Sequence, residues 1–165
     1  MFVDVDLPGN VSEDDVRTAT AKASEWAREV SGWNWRIYRT HAGVRLLATH
    51  ELISPTNPLC QRAFEFVGAD PDYVRLCTTH ECFRARLTPK PWRCGVPRPP
   101  GRWPFTNADE ERHFLDWKVS YDAVCDAKAT CQLLTVGNGD VHQSLLPLVI
   151  LHDRETRALS RFPLA

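Results

Sequence analysis

Alternating apolar and polar residues predict strands in the first half of the chain. Residues 2–7 alternate apolar side chains with two aspartates, the period-2 pattern of a strand with one buried face. Residues 35–40 and 44–49 are two further strand-like runs, and the short connection between them ends in Gly43, which predicts a hairpin with the glycine in a left-handed turn position. A fourth alternating run, residues 83–87, predicts a strand in the middle of the chain.

The helical period dominates a second set of segments. Ser12, followed three residues later by Asp15, is typical of a capping box, and apolar residues then recur at helical spacing as far as Val30. An apolar run over 131–136 predicts one more strand. Further helices are predicted over 58–68, 70–77, 109–129 and 141–158.

This order of elements predicts an α+β fold in one domain, residues 1–165. The first six elements follow the βαββαβ plan of ferredoxin-like and RNA-recognition-motif-like cores. We therefore expect a mostly antiparallel sheet with helices packed on one face, C-terminal helices added to it, and the other face left for a ligand. A basic, proline-rich loop is expected over about 88–107.

Composition narrows the class of protein. The chain is 43% hydrophobic and 25% charged, with a net charge of −1, which is ordinary for a globular domain. It has no apolar run long enough for a membrane span, and it begins with two aspartates where a signal peptide would carry basic residues. These features predict a cytoplasmic protein with no membrane partner; the sequence leaves the oligomeric state open.

The distribution of charge is more informative than its sum. Residues 83–107 carry six cations and no carboxylate, with tryptophans and prolines between them. Basic side chains beside exposed aromatic rings are typical of sites for single-stranded nucleic acid. The alternative is that the arginines pair with carboxylates and the tryptophans pack in the core. The candidate contacts to phosphates and bases are Arg84, Arg86, Lys90, Trp92 and Arg93.

Asp4 and Asp6 are candidate metal ligands. Two residues apart on one strand, they would project both carboxylates to the same side of the sheet, about 7 Å apart, where Mg²⁺ or Mn²⁺ could be shared for phosphoryl transfer. The alternative is a solvated face of an edge strand.

The strand with Asp4 and Asp6, followed by a helix and the hairpin, resembles the archaeo-eukaryotic primase-polymerase superfamily. The resemblance covers about the first fifty residues and implies that the two aspartates bind the metals. It also implies a nucleotide site on the hairpin, with the hydroxyl, glycine and basic phosphate-binding positions matched by Thr40, Gly43 and Arg45. Arg45 stands where the superfamily has histidine. His41, at the hairpin tip, is a further candidate to face a substrate.

The resemblance also implies a third metal carboxylate on a later element, for which Asp153 is the first candidate and Asp140 the second. It predicts a nucleotide or nucleic-acid binding protein that uses Mg²⁺ or Mn²⁺ for nucleotidyl transfer. The alternative is a catalytically inactive binding or scaffold domain of the same fold. The middle of the chain, residues 73–93, is similar to uncharacterised bacterial proteins, and that similarity implies no function.

Six cysteines leave two interpretations. In a reducing compartment, buried free thiols are the favoured one. The alternative is a zinc site formed by Cys77, His80 and Cys82, whose spacing differs from that of zinc ribbons and fingers.

Overall fold

The computed structural model describes all 165 residues, and most predicted elements are present. The amphipathic segment after Ser12 is helical, and Ser12 and Asp15 form the expected reciprocal capping box. The strands are β1 (Phe2–Asp6), β2 (Trp35–Thr40), β3 (Gly43–Ala48) and β4 (Cys131–Thr135). The helices are α1 (Glu13–Glu29), α2 (Pro58–Val67), α3 (Pro71–Thr79), α4 (Ala108–Cys125) and α5 (Leu146–Thr156). None of the helices is both long and apolar enough to cross a membrane.

The fold is α+β, with a four-stranded antiparallel sheet in the order β1-β3-β2-β4. Because β3 pairs antiparallel with both β1 and β2, these two strands run parallel with β3 between them, which is the split βαβ unit expected for the first half of the chain. The fourth strand differs from the expectation, because it comes from residues 131–135 and pairs with β2.

One face of the sheet forms the main hydrophobic core. Alternate residues of β1, β2 and β3 point to this face, where α1 and α2 cover them. Trp26 of α1, Trp35 of β2 and Phe64 of α2 are nearly inaccessible to solvent. Burying rings of this size contributes strongly to stability and fixes the face to which the aspartates of β1 must point.

The opposite face is covered in part, contrary to the expectation of helices on one face only. Phe2, Tyr38 and Leu47 pack there against Val149 of α5 and against Ala158. The segment after α5 continues this contact, with an isolated parallel bridge between Ala129 and Leu164. What stays open is the part of this face near the ends of β1 and β3 that carry the charged residues.

The predicted strand at residues 83–87 is wrong, although the segment alternates. It pairs with no strand, and two of its carbonyl groups accept hydrogen bonds from side chains instead: Arg86 O from Arg45 Nη1 at 2.8 Å and Leu87 O from Thr130 Oγ1 at 3.0 Å. The chain continues into a short 3₁₀ helix, Pro91–Cys94. Backbone carbonyl groups inside a protein need hydrogen-bond donors, and here the side chains of distant residues supply them in place of a neighbouring strand.

Candidate functional site

Asp4 and Arg45 lie opposite each other on β1 and β3 and form an ion pair. Arg45 donates from Nε to Asp4 Oδ1 at 2.7 Å and from Nη2 to Oδ2 at 3.2 Å. The Arg45 side chain is 5% exposed and that of Asp4 is 31% exposed. Burial alone lowers the pKa of Arg45, but the charge and hydrogen bonds of Asp4 reverse this, and the net shift is upward. Asp4, Asp6 and Arg45 therefore lie on the same face of the sheet.

Arg45 also fixes the basic segment. Its Nη1 donates to the carbonyl oxygen of Arg86, and His152 Nε2 lies 3.5 Å from the same Nη1. The guanidinium is thus directed at Asp4 and at the backbone of residue 86. The predicted phosphate contact from Arg45 would require these bonds to be exchanged, so in this structure Arg45 organises the site.

Asp153 of α5 belongs to a second polar cluster on the same sheet face. Tyr38 donates from its hydroxyl to Asp153 Oδ1 at 2.7 Å, and Arg36 forms a salt bridge with Oδ2. Burial alone raises the pKa of Asp153, but hydrogen bonds from His152 and Tyr38 and the charge of Arg36 reverse it and hold the pKa below its usual value. Both carboxylate oxygens therefore already have partners.

The donor set does not fit a two-metal site as it stands. Both oxygens of Asp4 accept from Arg45, and those of Asp153 accept from Arg36 and Tyr38. No three acidic, histidine or cysteine side chains are grouped as metal ligands, so the structure does not bring Asp153 to Asp4 and Asp6, nor the alternative Asp140. The predicted Mg²⁺ or Mn²⁺ stays a prediction, and it requires Arg45 to release Asp4.

A pocket of about 120 Å³ opens beside the ion pair. Its polar lining comes from β1, from the hairpin and from the basic segment, and we refer to it as the Asp4 pocket. The volume is below the range of about 300–1,000 Å³ for sites that enclose a whole organic ligand, so the pocket suits a single anionic group. The polar side chains that line it are Asp4, Asp6, Thr40, Arg45, Arg86, Lys90, Arg93 and Thr130.

The Asp4 pocket has an excess of positive charge. Asp4 and Arg45 neutralise each other, which leaves the carboxylate of Asp6 facing three cations. Burial, and then the charges of Asp70 and Asp4, raise the pKa of Asp6 against the opposing effect of Lys90 and Arg93.

The cations of the basic segment have no carboxylate partners. No salt bridge in the structure involves any of them, so the alternative that these arginines pair with carboxylates is not what the structure shows. Unpaired guanidinium and ammonium groups held at one place attract phosphate. The six residues are Arg84, Arg86, Lys90, Arg93, Arg98 and Arg102.

A larger groove of about 660 Å³ adjoins the Asp4 pocket and shares Arg86 with it. Trp92 is 53% exposed along one side, with Lys90 Nζ 5.6 Å and Arg98 Cζ 5.5 Å from its ring centroid. The stacked rings of Trp117 and Tyr121, with centroids 5.0 Å apart, also line it. We call this the tryptophan groove; its lining is Arg86, Thr88, Pro91, Trp92, Arg98, Pro99, Gly101, Arg102, Trp117 and Tyr121.

Helix α4 holds the groove in place through hydrogen bonds to the proline-rich chain. Tyr121 donates from its hydroxyl to Pro89 O at 2.6 Å, and Trp117 donates from Nε1 to Pro97 O at 2.8 Å. Asn107 caps the start of α4 through its side-chain oxygen. The basic loop thus has defined partners despite its lack of regular structure.

Three of the predicted nucleotide- or phosphate-binding residues lie outside both cavities. Arg84 is exposed and lines neither. His41 is exposed at the hairpin turn, and its pKa is lowered by partial burial and by Arg93, Arg39 and Lys90, which places it at the positive rim. Gly43 begins β3 without a positive φ, and a Cβ there would lie 2.0 Å from Val5 O. Close packing of β3 against β1 therefore explains why position 43 is a glycine. The predicted left-handed turn conformation at Gly43 is wrong.

The zinc alternative has no ligand group. Cys77 is buried in the main core, His80 is exposed and no metal-ligand cluster includes them or Cys82. All six cysteines are free thiols.

Sequence reasoning missed several residues of the site. Trp117 and Tyr121 are four residues apart on one helix, a spacing that signals a shared face. Arg98 and Arg102 lie in the basic stretch 83–107, which contains no carboxylate, and this composition is the signal that could have identified them. Thr130 carries no local signal, because only the fold brings it to the Asp4 pocket.

Comparisons of the chain with protein-family models, with curated proteins and with solved structures give no significant match.

Proposed function

We propose that this protein binds single-stranded nucleic acid, with one phosphate at the Asp4 pocket and bases in the tryptophan groove. The observation that carries the proposal is the convergence of Arg86, Lys90 and Arg93, none of them in a salt bridge, on a pocket too small for more than one anionic group. Cations without salt-bridge partners can neutralise phosphates and release the counterions condensed on the nucleic acid, which supplies a large share of the affinity.

The groove supports a single strand in preference to a duplex. Base stacking on an aromatic ring requires an unpaired base, and Trp92 is half exposed, with the cationic groups of Lys90 and Arg98 over its ring. The groove volume lies within the range that encloses an organic ligand of nucleotide size. Because the groove and the pocket share Arg86, adjacent units of one strand would occupy both.

The geometry favours a binding domain over nucleotidyl transfer. The resemblance of the β1-α1-β2-β3 unit to primase-polymerase cores supports a nucleotide-binding surface in this place. Transfer by two metals would need freed carboxylates, whereas Asp4 and Asp153 are each committed to an arginine. The catalytically inactive form of the fold is therefore the function we assign.

Fluorescence anisotropy of a labelled oligothymidine at low salt tests the proposal. The triple variant Arg86→Ala, Lys90→Ala, Arg93→Ala should lose on the order of 100-fold in affinity at 0.1 M salt, since all three cations that would hold the phosphate in the Asp4 pocket are removed. A matched control removes three exposed arginines that pair with aspartates three residues away, Arg17, Arg75 and Arg112. The control variant has the same net charge as the test variant. It should nevertheless bind oligothymidine as tightly as the wild type does. Equal loss in both variants, or no binding by the wild type, would overturn the proposal.

A further inference from the structure

Two thiols meet where the basic segment contacts α4. Cys94 ends the 3₁₀ helix and Cys125 ends α4, and the Sγ of Cys125 donates a hydrogen bond to the Sγ of Cys94 over 3.3 Å. No other hydrogen bond joins two thiols in the structure, and Cys60 and Cys77 are buried in the main core. A disulfide has an S–S distance of about 2.05 Å, so closing the contact requires the sulfur atoms to approach by about 1.3 Å.

Solvent reaches this pair from the Cys94 side, because Cys125 is buried apart from the part that lines a neighbouring pocket. Cys94 is partly exposed, and Cys125 lines a pocket of about 280 Å³ that also contains Lys128, a cation without a salt bridge. The lining of this pocket carries three cations and three carboxylates, so its charge is balanced and suits a small thiol oxidant that has both ammonium and carboxylate groups.

We propose that Cys94 and Cys125 are a modification site that forms a reversible disulfide, with a small disulfide such as oxidised glutathione, which carries both ammonium and carboxylate groups, as the oxidant. The Cys94 thiolate attacks one sulfur of oxidised glutathione, which forms a mixed disulfide and expels one glutathione thiolate. The Cys125 thiolate then attacks the Cys94 sulfur and expels the second glutathione. Two protein thiols are oxidised, one glutathione disulfide is reduced to two thiols, and the two protons pass to the leaving thiolates.

The bond would tie the tryptophan groove to the body of the protein. The closed loop runs from Cys94 to Cys125 and contains Arg98 and Arg102, while Trp92 lies directly before it. Burial, and then Cys125, raise the pKa of Cys94 to about 11, so the reaction is slow at neutral pH and accelerates as the pH rises.

Incubation of the full chain with oxidised glutathione at pH 8.5 tests this site. We expect a product lighter by two hydrogen atoms, a bridged peptide pair containing Cys94 and Cys125, and a Tm about 5 to 10 °C higher that returns to its starting value with dithiothreitol. Cys94→Ser and Cys125→Ser should each prevent the bridge, whereas Cys82→Ser, also partly exposed, should still form it. Six thiols remaining free, a bridge between other cysteines, or a mixed disulfide that never resolves would each overturn the proposal.

Discussion

Arg45 joins β1 to the basic segment, because the same guanidinium that binds Asp4 also donates to the carbonyl oxygen of Arg86 at 2.8 Å. This relationship places the cations of residues 86–93 beside the aspartates. The ion pair therefore sets the geometry of the Asp4 pocket, in addition to joining two neighbouring strands.

Replacing Arg45 with methionine should destabilise the protein by about 2 to 4 kcal/mol, because it leaves the Asp4 carboxylate without its partner. The partial exposure of Asp4 keeps the cost below the upper end of the range for buried pairs. Urea unfolding measures it. The double variant Asp4→Leu, Arg45→Met should recover most of the loss, since no charge is then left unpaired. A single variant as stable as the wild type would mean that the pair does not form in solution.

Gly43→Ala tests the close approach of β3 to β1. A Cβ at this position would lie 2.0 Å from Val5 O, so the strands must separate, and we expect a loss of at least about 2 kcal/mol in the free energy of unfolding. Gly101→Ala is the control: its nearest atoms, at 3.8 Å, belong to the Phe105 side chain, and its effect should stay within about 0.5 kcal/mol. Similar effects of both substitutions would be inconsistent with this register.

His152 should make stability depend on mild acid. Its pKa is lowered by burial and by the charges of Arg45 and Arg36, against the opposing effect of Asp153. The unfolded chain then binds a proton near pH 6.5 that the folded protein does not, so stability is lost as the pH falls below that value, by up to about 1.4 kcal/mol per pH unit.

The measurement compares urea midpoints at pH 7.5 and pH 5.5. His152→Gln should lower stability at both values but lose less on acidification than the wild type. His50 also has a pKa lowered by burial. The variant His50→Gln therefore measures how much of the acid sensitivity comes from His50 and not from His152. If His152→Gln and the wild type lose equal stability between the two pH values, His152 is not neutral in the folded protein.

Local patterns predicted the aspartate face but not the path of the basic segment. The alternation in β1 and in the hairpin is enough to put Asp4 and Arg45 on one face, because the apolar residues of these strands must point to the core. Residues 83–87 alternate equally well, yet they form no strand. Their hydrogen-bond partners, Arg45 and Thr130, lie 41 and 43 residues away, and no local pattern records them.

Asp153 illustrates the same limit. Its chemistry made it a candidate third metal ligand, but its partners Arg36 and Tyr38 lie more than a hundred residues earlier in the chain. Only the packing of α5 on the sheet reveals that the carboxylate is already bound.

Trp92→Ala should weaken binding of single-stranded oligonucleotide by about 1 to 3 kcal/mol, because it removes a stacking surface and no charge. The salt dependence should be unchanged. Trp103→Ala is the matched control, since Trp103 is 82% exposed and lies outside the tryptophan groove. If both variants bind like the wild type, bases do not stack in the groove.

The salt dependence of oligothymidine binding tests the phosphate pocket most directly. Each phosphate contact on a single strand contributes about 0.7 to the slope of log K against log salt concentration. The Asp4 pocket accommodates one phosphate, so the triple variant at Arg86, Lys90 and Arg93 should show a slope about 0.7 shallower than the wild type, while the Arg17, Arg75 and Arg112 control keeps the full slope. Identical slopes for the wild type and the triple variant at Arg86, Lys90 and Arg93 would show that no phosphate is bound at the Asp4 pocket.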